Sequence, residues 1–83
     1  MPKYRKKPVV IEAVQFNGEN QEEIGYFAGL NAKLAGREGR LEIKTKEGVM
    51  TANPGDYIIK GVQGEFYPIK EDIFLETYEL VNE

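Results

Sequence analysis

The side chains that most often carry enzyme chemistry are missing: the 83-residue chain has no histidine, no cysteine and no serine. That removes the usual nucleophile and base pairs, together with imidazole and thiolate metal sites. What remains is Asp56, Asp72, the glutamates, three threonines, the lysines and five tyrosines. No pair of these stands at a spacing that recruits a metal ion or a water for acid–base work. The residues therefore predict a protein that is not an enzyme and carries no cofactor, and the candidates worth placing are binding residues.

Two groups qualify. In Lys3-Tyr4-Arg5-Lys6-Lys7 an aromatic ring lies among cations, so Tyr4 can stack on a base while Arg5 and Lys7 meet phosphate. Further on, Lys60, Glu65 and Tyr67 are read onto the open face of a hairpin, where an aromatic and both signs of charge meet. Together they predict a site for a small, nucleotide-type anion. The plainer alternatives are a solvated basic strand end, and a cross-strand Lys60–Glu65 ion pair beside Tyr67. Asp56, following Pro54-Gly55, suits a turn-capping carboxylate better than a ligand. Gly55, Gly61 and Gly64 match neither the P-loop nor the dinucleotide fingerprint and are read as turn devices.

Charge narrows the partners. The net charge is -3, with four of eleven cations at Lys3, Arg5, Lys6 and Lys7 and all fourteen acidic residues after them. A body this acidic makes nucleic acid an unlikely partner, since a phosphate backbone needs a basic face. The length holds one modest core, so 1–83 is read as a single domain with a basic arm at 1–8. Without disulfides or a metal to help a thin core, a homo-oligomer is the expected remedy. No apolar run approaches the roughly 20 residues of a membrane helix. The stretch Val9 to Phe16 lacks a cleavage site of small residues, and a cytoplasmic location is expected.

The elements that position these residues follow from periodicity. Val9 to Phe16, β-branched and almost wholly apolar, reads as a central strand. Asn17-Gly18 ends it, and Asn20 with Glu23 reads as a capping box opening a helix over Gln21 to Ala28, with Ile24, Phe27 and Ala28 on one face. Residues 31–39 read as a loop with a short strand near Ala32 to Leu34. Leu41 to Thr45 and Val49 to Ala52 alternate around Glu47-Gly48 as a hairpin, and Asn53-Pro54-Gly55-Asp56 is a second turn. Tyr57 to Val62 and Glu65 to Ile69 form another hairpin. Its inner face is read as Tyr57, Ile59, Phe66 and Pro68, and its open face as Ile58, Lys60, Glu65, Tyr67 and Ile69. Pro68 marks a strand edge or bulge. The expected architecture is α+β: a small, mostly antiparallel sheet of about five strands and two hairpins, packed by one helix, with a short C-terminal helix or turn.

Two stretches, MPKYRKKPVVIEAVQF and NPGDYIIKGVQGEFYPIKEDIFLETYELV, resemble small phage and prophage proteins, and NPGDYIIKG is similar to the family named for its PGDYG motif. The motif's last glycine is met here by Ile58, with Gly61 three residues on. The likeness spans half to two-thirds of the chain and leaves Asn17 to Arg40 aside. It implies a phage-encoded accessory protein in the bacterial cytoplasm and carries no information about activity. Combined with the residues, it predicts a small binding protein, most concretely a counter-defence protein that sequesters a nucleotide-type immune signal. The alternatives are a protein-interaction module that inhibits or modifies a host protein, and a virion or structural accessory protein.

Overall fold

Alternating and β-branched segments joined by glycine turns dictate antiparallel pairing, and the computed structural model shows it for the residues described, 1–5, 7–35 and 40–81. The elements run β1 (Glu12–Gln15), α1 (Gln21–Ala28), β2 (Ala32–Ala35), β3 (Arg40–Thr45), β4 (Gly48–Ala52), β5 (Tyr57–Lys60), β6 (Phe66–Ile69) and α2 (Glu71–Thr77). The strands form two three-stranded antiparallel sheets, β1-β5-β6 and β2-β3-β4. The protein is α+β, with both expected hairpins, the short strand after α1, and a C-terminal helix. The glycines at 36 and 39, part of the predicted loop, lie outside the described residues.

One core joins the two sheets. Phe16, Ile58 and Phe66 from the first meet Leu41, Ile43 and Ala52 from the second, and Ile24 and Ala28 of α1 close the gap. Phe27 lies edge-on to Phe66, with ring centroids 5.4 Å apart. The helical face read from Ile24, Phe27 and Ala28 is therefore the face that packs. Gly29, at φ 60, ends α1 in a conformation that favours glycine.

Three local expectations are corrected. The first strand is short and at an edge: β5 ends at Lys60, so residues 9–11 run past it without a strand partner among the described residues. The capping box does not form. Asn20 instead donates from Nδ2 to Gln15 O and Glu23 Oε1, while its Oδ1 accepts the Asn17 N–H, so the side chain secures the preceding turn rather than the helix amides.

The third correction concerns the β5–β6 hairpin. Its loop holds an odd number of residues, Val62, Gln63 and Gly64, closed by Gly61 N–H to Glu65 O at 2.7 Å, with Gly64 at φ 80. An odd loop shifts the register by one and exchanges the faces of one strand. Ile58 stands opposite Pro68 and Lys60 opposite Phe66, so these four share the core side. Tyr57, Ile59, Tyr67 and Ile69 share the other. That second side is also covered: Phe74 of α2 stacks on Tyr57 at 3.9 Å, Tyr78 stacks on Phe74 at 5.1 Å, and Ile59 has no exposed surface.

The Asn53–Asp56 turn locks the two sheets together. Asp56 N–H donates to Asn53 O, and the Asp56 carboxylate accepts the Asn53 N–H, both at 2.9 Å. Phe16 N–H donates to Asp56 O and Gly55 N–H donates to Phe16 O, which ties the end of β1 to the turn. Gly55, at φ 101, fills the position where a type II turn needs a positive φ after proline.

Candidate functional site

Two hairpin tips built by different turns meet at one end of the molecule. At the β3–β4 tip the Thr45 hydroxyl donates to Gly48 O at 2.7 Å and accepts the Glu47 N–H at 3.1 Å, so it is held by the turn. At the β5–β6 tip the Glu65 carboxylate folds back and accepts the Gln63 N–H at 3.0 Å. Gly61 makes that possible, because a Cβ there would strike the carboxylate. Lys46 Nζ donates to Gln63 Oε1 across the gap.

Beneath that bridge lies a groove with two lobes. One, of about 300 Å³, is lined by Met50, Phe66 and Tyr67 with Thr45, Lys46, Glu47 and Glu65. The other, of about 260 Å³, shares Thr45, Lys46, Glu65 and Phe66 and adds Asn31, Lys44, Gln63 and Gly64. The first lobe is the more apolar and adds Glu47; the second adds Lys44 and two amides, and Lys46 and the Glu65 carboxylate line both. Such a groove offers a shelf for a planar, partly apolar group beside donors for an anion.

Tyr67 stands at the rim and keeps its proton. Burial pushes its hydroxyl up to about 12, aided by the hydrogen bond with Tyr78 and the nearby charges of Tyr78 and Glu65. It is thus a phenol over the whole neutral range. Among the described residues, no cluster of three acidic, histidine or cysteine side chains could hold a metal ion. The Thr45 hydroxyl in the groove is occupied by its own turn.

Of the six residues picked from sequence, the structure brings only Glu65 and Tyr67 to this groove. Lys60 belongs to the opposite side of the hairpin from Tyr67 and is exposed, so no mixed face of Lys60, Glu65 and Tyr67 exists. Tyr4 (93% exposed) and Arg5 lie in an arm outside any element. Lys7 borders a separate cleft with Pro8, Val9, Thr77 and Tyr78. Sequence reasoning missed Lys44, Lys46 and Gln63. Their turns were legible, but which two tips adjoin is set by how the sheets pack.

Among the described residues, no helix is long and apolar enough to cross a membrane. No protein-family model, curated protein or solved structure matches the chain.

Proposed function

We propose that this chain is a non-enzymatic binding protein that takes a ligand of mononucleotide size in the groove between its hairpin tips. The observation that carries the reading is the division of that groove. A base or similar ring lies on Met50, Phe66 and the Tyr67 rim, and a phosphate meets Lys46 beside Asn31 and Gln63, where the Glu65 carboxylate is held by the Gln63 N–H. The volumes stand at the small end for ligand sites, so one chain holds one nucleotide unit and not a cyclic oligonucleotide. Resemblance to phage proteins makes a nucleotide-type immune signal the first ligand class to try, consistent with a counter-defence role in a bacterial cytoplasm.

The test is calorimetry and thermal unfolding with adenine and guanine nucleotides, ADP-ribose and cyclic dinucleotides. A ligand at a hundred times its dissociation constant stabilises the fold by about 2.7 kcal/mol, a shift of several degrees for a domain of this size. Lys46→Ala is expected to weaken binding about tenfold or more, as loss of a charged phosphate contact does, and Lys7→Ala to leave it unchanged. No heat and no shift with any of these ligands would sink the reading.

A second reading, a protein-interaction module, is favoured by the outer face of the second sheet. There Leu30 (101% exposed) and Val49 (65%) form an apolar centre within a rim of Lys33, Glu42 and Lys44.

A further inference from the structure

Val9-Val10-Ile11 is a strand-forming run that pairs with no strand among the described residues. Val9 is 45% and Val10 74% exposed, and β5 has already turned away at Gly61. Along an antiparallel ladder, bonded and non-bonded pairs alternate. Phe16 N–H bonds to Asp56 O, so Val14 and Glu12 spend their backbone groups on β5, and those of Ala13 point out from the open edge together with the Gln15 N–H, while Gln15 O accepts from Asn20 Nδ2 and marks where that edge ends. The sheet's other edge is different. Counting from the bonded Gly61–Glu65 pair, Pro68 falls at a non-bonded position of β6 and offers no N–H to the outside. β1 is therefore the edge of this sheet that another strand can extend.

Charge indicates which strand fits. Lys3, Arg5 and Lys7 precede β1 and Glu19, Glu22 and Glu23 follow it; all six are exposed, and none makes an ion pair among the described residues. In an antiparallel pairing of β1 with β1 of a second copy, outward-facing residues must stand opposite one another, so the two-fold axis passes through one residue; with Ala13 on the axis, residues 3–7 of one chain fall opposite residues 19–23 of the other. The cations then meet the carboxylates twice, once at each end of a two-fold axis.

We propose that β1 is a homodimer seam: two copies pair antiparallel along residues 11–15, merging two three-stranded sheets into one of six strands, with each basic arm lying over the acidic start of the other copy's α1. The arm then serves assembly rather than ligand capture, which explains why Tyr4, Arg5 and Lys7 stand apart from the groove.

Sedimentation equilibrium of the full chain tests this. The expected result is twice the chain mass, with a dissociation constant that rises with salt as the arm contacts are screened. Ala13→Pro removes an outward N–H and is expected to give a folded monomer. Reversing Lys3, Arg5 and Lys7 to Glu should weaken the dimer about tenfold or more, as should reversing Glu19, Glu22 and Glu23 to Lys; mixing the two triple variants should restore a heterodimer. If Ala13→Pro does not fold, the charge-reversed pair carries the test alone. A single-chain mass at every concentration overturns the proposal, and so does a dimer that neither the proline nor the charge reversals weaken.

Discussion

Ile58 and Ile59 are neighbours in β5, point to opposite sides of one sheet, and have no exposed surface, yet what buries them differs. Ile58 lies in the cluster that α1 and both sheets build from residues 16 to 66. Ile59 lies outside that cluster, on the side closed by α2 and Tyr78. α2 has seven residues, no buried side chain of its own and no side-chain cap; its hold is the Tyr57–Phe74–Tyr78 stack and the hydrogen bond from Gln15 to Glu71. Equal burial thus conceals unequal cooperativity. The first side opens only when the whole domain unfolds, whereas the second can open by release of a terminal helix.

The widest separation between the two sides should come from truncating the isoleucines. Ile58→Ala leaves a cavity walled by two sheets and a helix and is expected to cost about 3–4 kcal/mol in denaturant unfolding. Ile59→Ala should cost less, about 2–3 kcal/mol, because α2 can settle into the space. An Ile59→Ala loss equal to or greater than that of Ile58→Ala would break the comparison.

Phe74→Ala sharpens it. A half-buried ring stacked between two tyrosines contributes about 2 kcal/mol, less than a core phenylalanine. Its loss should act locally: amide exchange rises in residues 71–78 while Leu41 and Ile43 keep their protection. Faster exchange in β3 by the same factor would show that α2 belongs to the main cooperative unit.

The same contrast explains what the sequence made legible. Features written in local chemistry came through. The helix at 21–28 follows from its spacing and Gly29, the Asp56 cap from the Pro-Gly turn before it, and the β3–β4 hairpin from clean alternation. Features set by how many residues a turn consumes did not. One residue in the Val62–Gly64 loop exchanged the faces of β5, turned Lys60 away from Tyr67 and dissolved the expected site. Val9 to Phe16 reads as a central strand because its composition suits burial on both faces. Only β5's end at Lys60 decides that its first three residues, 9–11, run past the ladder. The groove was least legible of all, since Lys46 and Gln63 are ordinary turn residues until two separate tips are brought together.

Tyr67 gives the smallest effect and the finest test, because it stands where the groove meets the α2 side. At neutral pH, Tyr67→Phe removes one hydrogen bond to Tyr78 and should cost about 1 kcal/mol or less. The alkaline range tells more. The folded chain holds the Tyr67 proton up to about 12, above the usual tyrosine value near 10, so folding is favoured by retaining a proton that the unfolded chain gives up. That contribution is complete below pH 10 and is lost as pH rises through 12. Phenolate absorbance should therefore show a last step near pH 12 that is missing in Tyr67→Phe, and the variant's stability should fall less steeply between pH 10 and 12. Identical alkaline curves for the two proteins would mean that α2 and Tyr78 do not shield the Tyr67 hydroxyl, and the second side of the sheet would then be open even in the folded state.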